Sequence, residues 1–359
     1  MDHPEEGFDR LETPCVLVDV DRVRANLARV QRYADQHGLK LRPHIKTHKL
    51  PLFAQWQLQL GAVGITCQKL GEAEVMADAG IDDILLTYNL LGEAKLRRLR
   101  QLAARIRIKV VADSVPVVDG YAAAFAAAEA PLPVMVECDT GAGRCGVQDP
   151  AAALALARHI AACPHLVFAG LMTYPAVGAQ GSADAARWLR QAVDLLERAG
   201  LPPPEVSSGG TPDVWSAHRG GVLTEYRPGT YIYLDRYQVA QGVGTLEDCA
   251  LSVLTTVVSI PVPGRVIVDA GSKALTSDLL GMEGYGCVDG YPQARVRALS
   301  EEHGILDFSD CARQPVLGDS LRIYPNHACP VSNLFDAVQL VSGTRWLSRL
   351  PVAARGRVD

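Results

Sequence analysis

The chain has 359 residues, 48% of them hydrophobic and 21% charged, and its formal net charge at pH 7 is -5. This length suits a barrel-sized domain plus a smaller one, and the composition is ordinary for a globular protein. The chain has no basic surplus or basic stripe, so we expect no nucleic-acid partner. Apolar runs such as 122–128 and 251–260 are far too short to span a bilayer, so we expect no membrane association.

Short runs rich in β-branched residues alternate with stretches of helical periodicity over the first 240 residues. The predicted strands are 15–20, 40–46, 62–67, 83–88, 106–112, 132–138, 167–173, 205–208 and 224–233. The predicted helices are 21–36, 50–60, 70–79, 92–103, 115–129, 150–162, 182–199 and 212–218. This alternation predicts a parallel sheet with right-handed crossovers. About eight such units favour an α/β fold with a closed (β/α)8 TIM-like barrel over residues 21–240.

An open doubly wound sheet is the alternative to a barrel. Such a sheet normally carries a glycine-rich phosphate loop after its first strand, whereas here that strand leads into Asp19-Val20-Asp21. After about residue 240 helical periodicity fades, and stretches such as 250–260 and 320–324 have the pattern of strands. We therefore predict a C-terminal β-rich domain over 241–359, and we expect residues 1–20 to pack with it.

The N-terminal segment and the cysteines bear on cellular location. The chain starts with an acidic segment that lacks the apolar run of a secretory leader. The nine cysteines are odd in number and include no CxxC pair, which indicates reduced thiols and not a disulfide framework. Both features predict a cytoplasmic protein.

Polar, aromatic and glycine residues follow the predicted strands, where a barrel of this kind places its chemistry. They occur at 42–46, 67–69, 88–89, 139–144, 173–174 and 207–211. Lys46 ends its strand among His44, His48 and Lys49, and a lysine there can form a Schiff base if burial or neighbouring cations lower its pKa. A solvated basic loop is the alternative for this segment.

The segment 207–211, Ser-Ser-Gly-Gly-Thr, is a candidate phosphate loop. Two adjacent glycines allow the backbone to approach an anion, and Thr211 can donate a hydroxyl hydrogen bond and cap the helix that follows. Pro212 suits the first turn of that helix. An ordinary glycine turn is the alternative.

His327 and Cys329 are candidate metal ligands. In an extended segment, residues two apart point the same way, so an imidazole nitrogen and a thiolate could share one ion. Sulfur ligation favours zinc. Two protein ligands would leave positions open for water or substrate, as in a catalytic site. A buried thiol beside a loop histidine is the alternative.

Together these motifs resemble the D-threonine aldolase and D-serine dehydratase family, pyridoxal-phosphate enzymes of the alanine-racemase fold type. The matching stretches run in order along the chain: 13–14 (Thr-Pro), 42–49 (Arg-Pro-His-Ile-Lys-Thr-His-Lys), 67–69 (Cys-Gln-Lys) with 72–73, 141–147 (Gly-Ala-Gly-Arg-Cys-Gly-Val), 208–211 (Ser-Gly-Gly-Thr), 228–231 (Pro-Gly-Thr-Tyr), 269–271 (Asp-Ala-Gly) and 325–330 (Pro-Asn-His-Ala-Cys-Pro). Eight ordered matches are much more specific than any single motif.

The resemblance implies a role for each candidate residue. It implies that Lys46 is the Schiff-base lysine and the proton-transfer base at Cα. It implies that phosphate is bound by Gly209, Gly210 and Thr211 together with Tyr231, and that the pyridine ring and its phenolic oxygen are flanked by Gln68, Arg144 and Tyr174. It further implies that His327 and Cys329 bind a divalent metal, with zinc favoured over manganese or magnesium.

The function that follows is a metal-assisted lyase acting on D-3-hydroxy amino acids, by β-elimination or by retro-aldol cleavage. The His-x-Cys pattern resembles the D-serine dehydratase branch, whereas the aldolases carry His-x-Asp, and this favours dehydration. The segment after Tyr174, Pro175-Ala176-Val177, departs from the family pattern. A metal-independent amino-acid racemase and a non-catalytic pyridoxal-phosphate carrier are the alternatives. We expect a homodimer, because a barrel mouth needs a cover that a second subunit can supply.

Overall fold

A computed structural model of the protein describes residues 7–8 and 11–359. The acidic segment 1–6 and residues 9–10 lie outside the described residues. The predicted packing of residues 1–20 is therefore described only for 7–8 and 11–20. The chain forms two compact units. The barrel unit comprises 29–46, 50–229 and 356–359, and the β-rich unit comprises the described residues up to 28, 47–49 and 230–355.

Eight parallel strands build the barrel unit. They are β2 (Lys40–Leu41), β3 (Ile65–Cys67), β4 (Asp83–Leu86), β5 (Arg107–Ala112), β6 (Leu132–Cys138), β7 (Leu166–Thr173), β8 (Val206–Ser208) and β9 (Glu225–Tyr226). Their order in the sheet is β2-β9-β8-β7-β6-β5-β4-β3. The two ends of this order meet, because His44 bridges Thr66 and the Val63 N–H donates to the Leu41 carbonyl. The predicted barrel is confirmed.

Helices follow most of these strands, as the predicted alternation requires. They are α2 (Pro51–Gln59), α3 (Leu70–Asp78), α4 (Glu93–Ala103), α5 (Val115–Phe125), α6 (Pro150–Ala162) and α7 (Ala179–Arg198), and a 3-10 helix covers Val214–Gly220. The first helix of the chain is α1 (Val20–Gln36). No helix of the described chain combines the length and apolar composition needed to cross a bilayer.

Two predicted strands are shorter than the sequence pattern suggested. The stretch 40–46 pairs as a strand only at β2, and Ile45–Thr47 forms a 3-10 turn. The stretch 224–233 pairs only at β9, and Thr230–Ile232 is again a 3-10 turn. Backbone hydrogen bonding nevertheless continues past these assigned strands, because the Arg42 and His44 N–H groups donate to the Tyr226 and Pro228 carbonyls.

The inner face of the barrel changes from apolar to polar along the strands. One buried cluster consists of strand residues alone, from β4, β5, β6 and β7, as expected inside a barrel. Its members are Leu85, Val111, Met135, Ala169 and Met172. Side chains two residues apart share one face of a strand. The same inner face therefore continues, toward the carboxyl ends of these strands, with Thr87, Asp113, Glu137 and Tyr174.

The β-rich unit is built on a nine-stranded sheet. Its strands are β1 (Cys15–Asp19), β10 (Leu251–Val262), β11 (Arg265–Val268), β12 (Gly286–Val288), β13 (Arg295–Leu299), β14 (Gly304–Asp307), β15 (Ser320–Pro325), β16 (Ala337–Ser342) and β17 (Arg345–Pro351). The order is β13-β14-β11-β10-β1-β16-β17, with β15 pairing β10 and β12 pairing β15. Short helices α8 (Arg236–Ala240), α9 (Ser272–Leu275) and α10 (Ala328–Leu334) lie in the same unit.

The first strand of the chain belongs to this second sheet. Strand β1 pairs antiparallel with β10 and parallel with β16. Cys15, Leu17, Leu254 and Val341 form a buried cluster there, against which Trp346 packs. The β-rich C-terminal part of the predicted fold class is thereby confirmed.

A buried ion network links three barrel strands. The Arg42 guanidinium, 2% exposed, donates to Glu225 Oε2 at 2.6 Å and to Asp83 Oδ1 at 2.5 Å. The other Glu225 oxygen accepts from the Ser207 hydroxyl at 2.6 Å. Because Glu225 is fully buried, loss of its cation would leave a charge without compensation in the interior.

We predict that Arg42→Met lowers the free energy of unfolding by about 3–5 kcal/mol, because the buried Glu225 carboxylate loses its cationic partner. The matched control is Arg107→Met, whose ion pairs with Asp82 and Asp83 are 3.6 and 3.5 Å long around a side chain that is 73% exposed. That control should change stability by about 1 kcal/mol or less. Urea unfolding of both variants provides the comparison, and equal losses would contradict the prediction.

Candidate active site

Lys46 lies in the 3-10 turn that follows strand β2, within the barrel unit. Its side chain is half-buried, while Ile45 before it is fully buried. Its backbone N–H donates to His44 Nδ1 at 3.4 Å. The turn therefore holds the lysine at the carboxyl end of a strand, where its amine can react with a carbonyl group.

A hydrogen-bond chain fixes Gln68 beside this turn. Its side-chain oxygen lies 3.1 Å from His44 Nε2, and its amide nitrogen donates to the Thr87 carbonyl at 2.8 Å. Since His44 Nδ1 accepts from Lys46, the consistent tautomer carries its proton on Nε2 and donates to Gln68. The Gln68 backbone N–H donates to Glu72 Oε2 at 2.8 Å. Lys46 and Gln68 are thus joined through His44.

Arg144 and Tyr174 also meet in the barrel unit. The guanidinium carbon of Arg144 lies 5.3 Å from the centre of the Tyr174 ring, a cation–π contact. The Asp139 carboxylate shapes the loop that carries Arg144, because it accepts from the N–H groups of Gly141 and Gly143 at 3.0 and 3.1 Å. This places a delocalised cation against an aromatic ring at the mouth.

The glycines of the candidate phosphate loop are packed between two tyrosine rings. Gly209 has φ +114°, and a Cβ there would overlap the Tyr226 ring. A Cβ on Gly210 would lie 3.0 Å from the Tyr174 ring. The Tyr226 hydroxyl donates to the Gly210 carbonyl at 2.7 Å. Only glycine fits at position 209, a side chain at 210 would press on the Tyr174 ring, and the bare backbone fits the close approach of a phosphate oxygen.

The predicted capping role of Thr211 is wrong. The helix after the loop is a 3-10 helix that starts at Val214, and its N-cap residue is Asp213, which makes no side-chain cap. Thr211 instead offers its carbonyl to the Val214 N–H at 3.2 Å.

Tyr231 belongs to the β-rich unit. It lies in the 3-10 turn Thr230–Ile232 and is 1% exposed. The remaining cofactor-site candidates, Lys46, Gln68, Arg144, Tyr174, Gly209, Gly210 and Thr211, all belong to the barrel unit.

The predicted metal ligands lie in the β-rich unit, around the start of α10. His327 is the extended N-cap residue of that helix, whereas Cys329 is already helical, so the predicted extended segment is wrong. The helix starts because Asp235 Oδ2 accepts the Ala328 N–H at 2.9 Å and its Oδ1 accepts the Gln238 N–H of α8. One buried carboxylate thereby caps α8 and bonds to the first N–H of α10.

The two side chains still meet, in a polar setting. His327 Nδ1 lies 2.7 Å from Asp278 Oδ2, and hydroxyl oxygens of Thr47 and Thr230 lie 3.1 and 3.5 Å from Cys329 Sγ. Burial opposes protonation of His327, but its contacts with the Cys329 sulfur and Asp278 raise its pKa to about 9. Burial also disfavours the thiolate, yet His327 and the two hydroxyls outweigh it and lower the pKa of Cys329.

This donor set fits a divalent metal with open positions. Asp278 holds His327 through Nδ1, which leaves Nε2 for an ion, and a stabilised thiolate is the form that binds metal. No cluster of three or more histidine, cysteine, aspartate or glutamate side chains suited to a metal occurs in the described part of the chain. A closed structural site with four protein ligands is therefore not built here.

Six residues that contribute to these sites were not predicted from the sequence. Thr47 and Thr230 are adjacent to predicted residues, and their place in the matching motifs was a usable signal. Asp235 precedes a short helix in an N-cap pattern. The remaining three are brought in by tertiary structure and had no local signal. Asp278 contacts His327, Glu137 lies on the inner face of β6, and the Arg227 guanidinium donates to the Ser207 hydroxyl at 2.8 Å.

The barrel unit has Lys46 and the candidate phosphate loop at its mouth, and the β-rich unit carries the His327–Cys329 pair. This combination defines a pyridoxal-phosphate enzyme of the alanine-racemase fold. The family model for the alanine racemase N-terminal domain matches residues 18–237. A serine dehydratase domain model matches residues 250–341. The chain belongs to this family, whose relatives at 33–37% identity are pyridoxal-phosphate-dependent lyases, as predicted.

Individual relatives match over nearly the whole chain. D-threonine aldolase from Arthrobacter sp is 37% identical over 98% of this chain and 95% of that protein. The crystal structure of D-threonine aldolase from Filomicrobium marinum has a TM-score of 0.91 at 33% identity and covers 100% of both chains. D-threo-3-hydroxyaspartate dehydratase from Delftia sp. HT23 has a TM-score of 0.88 at 34% identity, over 96% of this chain and 99% of that one.

Two solved variants of D-threo-3-hydroxyaspartate dehydratase are also similar to this chain. One carries alanine in place of a histidine, with a TM-score of 0.89, and the other carries alanine in place of a cysteine and is in a metal-free form, with a TM-score of 0.88. In that enzyme the two substituted positions lie two residues apart. His327 and Cys329 have the same spacing.

We predict that Gly209→Ala lowers the free energy of unfolding by about 2–5 kcal/mol, because the methyl group adds a clash with the Tyr226 ring to an unfavourable φ. Gly200→Ala is the matched control. Its φ is +73°, but nothing lies within 4 Å of the added Cβ. The control should therefore lose only the backbone cost, about 1–2 kcal/mol. Similar unfolding midpoints for the two variants would show that the loop is not tightly packed.

Proposed function

We propose that the protein is a pyridoxal-phosphate- and divalent-metal-dependent lyase of D-3-hydroxy amino acids. The observation that carries this proposal is the His327–Cys329 pair, in which Asp278 orients the imidazole and two hydroxyls surround the sulfur. An amino-acid racemase needs no such pair. A similar enzyme with alanine in place of a cysteine has been solved in a metal-free form, which supports a metal-binding role for this cysteine.

Lys46 is proposed to hold the cofactor as a Schiff base. The backbone of Gly209, Gly210 and Thr211 would bind the phosphate, with Tyr231 keeping its predicted role as a further phosphate ligand. The chemistry that bound pyridoxal phosphate supplies is withdrawal of electrons from the substrate Cα. Lys46 Nζ would take the Cα proton in a β-elimination.

The groups around the pyridine ring are proposed to set how strongly it withdraws electrons. Arg144 presents a permanent positive charge and is proposed to face the phenolic oxygen. Tyr174 lies under that guanidinium, and Gln68 is fixed by its bonds to His44 and Thr87. The bonds that hold Gln68 exist before any substrate binds, and such preorganisation favours catalysis.

His327 Nε2 and Cys329 Sγ are proposed to hold one divalent ion. Zinc is favoured because thiolate and imidazole are its usual ligands, with manganese or magnesium as the alternatives. The function of such an ion is to polarise the β-hydroxyl of the substrate. Asp278 would act through His327, because a carboxylate on the distal nitrogen fixes the tautomer and strengthens the ligand.

The same residues serve two outcomes at a 3-hydroxy amino acid. In a dehydration, the Cα proton goes to Lys46 Nζ and the β-oxygen leaves. In an aldol cleavage, the β-hydroxyl loses its proton and the Cα–Cβ bond breaks. The thiolate ligand favours dehydration, while the relatives include both aldolases and dehydratases of D-3-hydroxy amino acids. A homodimer, a cytoplasmic location and a domain division after residue 240 stay predictions.

We predict that Lys46→Ala removes the visible absorbance of the purified protein and abolishes turnover of D-3-hydroxy amino acids, because no other residue is proposed to form the Schiff base. Lys40→Ala is the matched control, since that lysine lies on the exposed start of β2. The control should keep both properties. Absorbance spectra and a product assay on the two variants decide the point, and a coloured, active Lys46→Ala enzyme would refute the assignment.

We predict that Cys329→Ala loses the bound divalent ion and at least about 100-fold of lyase turnover, because the β-hydroxyl is no longer polarised. The visible absorbance from Lys46 should persist. Cys145→Ala, at an exposed cysteine of the Arg144 loop, is the control and should retain its metal. Metal content, absorbance and turnover are the three measurements, and full turnover by a metal-free Cys329→Ala variant would contradict the proposed mechanism.

A further inference from the structure

Glu137 is a buried carboxylate that the proposed mechanism does not use. It lies on β6, on the inner face of the barrel, two residues beyond Met135 of the apolar cluster, and is 4% exposed. Within residues 7–8 and 11–359, no group donates a hydrogen bond to its side chain and no cation forms an ion pair with it. Glu225, which is fully buried, has both oxygens bonded, to Arg42 and Ser207.

A carboxylate buried without a donor is costly to the fold and needs an explanation. The titratable and charged groups that face Glu137 come from several elements of the barrel unit: Arg144, Asp113, Arg227, Asp139, Tyr121, Cys138 and Cys145. Only Arg144 and Arg227 are cations, and the carboxyl groups of Asp113 and Asp139 repel that of Glu137. The two arginines are therefore the groups that can compensate the charge of Glu137.

The two arginines differ in what they already bind. The Arg227 guanidinium is buried and donates to the Ser207 hydroxyl at 2.8 Å and to the Thr173 carbonyl at 2.5 Å. Arg144 is exposed, packs on the Tyr174 ring, and forms no ion pair with any residue that the structure describes. Of the two, Arg144 has the freedom to move toward a new partner.

We propose that Glu137 is a positioning residue, the carboxylate that anchors the Arg144 guanidinium at the barrel mouth once cofactor is bound. This inference rests on the proposed function, because it takes Arg144 to be the cation that faces the phenolic oxygen of pyridoxal phosphate. An arginine can bind a carboxylate on one edge and a second oxygen on the other, since its planar group carries five donors. Glu137 would thus act on the cofactor only through Arg144.

The protonation behaviour of Glu137 agrees with this role. Burial raises its pKa to about 7, against the opposing effect of Arg144. The pKa of Glu137 is thus higher in the folded chain than in the unfolded chain, so the folded chain holds the proton more tightly. The stability gained in this way is complete below the unfolded pKa and is lost as pH rises through about 7. At pH 8 the ionised Glu137 therefore weakens the fold of the cofactor-free chain, which is expected of a group kept for binding and not for stability.

The test compares Glu137→Gln, Glu137→Asp, Arg144→Gln and the double variant, using the full chain. Titration of cofactor-stripped protein with pyridoxal phosphate, followed by visible absorbance, gives the half-saturating concentration. We expect Glu137→Gln to raise it about 10-fold, Glu137→Asp to recover part of that loss, and the double variant to bind no worse than Arg144→Gln alone.

Thermal unfolding at pH 8 separates positioning from a structural role. Without cofactor, Glu137→Gln should raise the melting temperature by about 2 °C, because an uncompensated charge is removed. Glu225→Gln is the matched buried control and should lower the melting temperature, because it weakens the bonds to Arg42 and Ser207.

Three results would overturn the inference. The first is an equal effect of Glu137→Gln in the wild-type and Arg144→Gln backgrounds, which would show that Glu137 does not act through Arg144. The second is a melting temperature lowered as in Glu225→Gln, which would show a structural role. The third is unchanged cofactor affinity in Glu137→Gln. If wild-type protein binds pyridoxal phosphate at Lys46, these results leave the proposed function intact; if it does not, both proposals fail.

Discussion

The buried pairing of Arg42 with Glu225 is the constraint on which the barrel mouth depends. Arg42 is on the segment after β2 and Glu225 is on β9, and from Glu225 the bonds continue through Ser207 on β8 to Arg227 and the Thr173 carbonyl at the end of β7. Breaking a buried ion pair of this kind is costly, so these bonds hold the strands in register relative to one another. Lys46 and the glycine loop both begin within four residues of this network.

The positions of His327 and Cys329 depend on where helix α10 starts. Asp235 accepts the first N–H of α10, and this fixes where the helix begins. The helix start places Cys329 between two threonine hydroxyls, while Asp278 holds His327. Each proposed ligand is thus positioned by a partner distant in sequence. The resulting pair has a soft sulfur, a neutral nitrogen in its metal-bound form and open positions, which suits catalysis better than structural metal binding.

Local pattern predicted the barrel well, because each strand and helix there has its own periodicity. Strand β6 has the predicted bounds, and α6 does as well. The pattern failed where backbone chemistry intervened. The predicted strands 40–46 and 224–233 give way to 3-10 turns at Ile45 and Thr230, and Asp235 turned the predicted extended His-x-Cys segment into a helix start. Asp278 and Glu137 could not be predicted, because their roles come from contacts between elements that no local pattern records.

The identity of the reaction is tested most directly by its products. Purified enzyme would be supplied with D-serine, D-threonine and D-3-hydroxyaspartate, and with the L enantiomers as controls, while keto acid, aldehyde and glycine are assayed separately. We expect either keto acid, or glycine with an aldehyde or its equivalent, from D substrates only, with activity lost on chelation and restored by a divalent ion. Conversion of a D substrate to its L enantiomer, at a rate unaffected by chelation, would contradict a metal-dependent lyase.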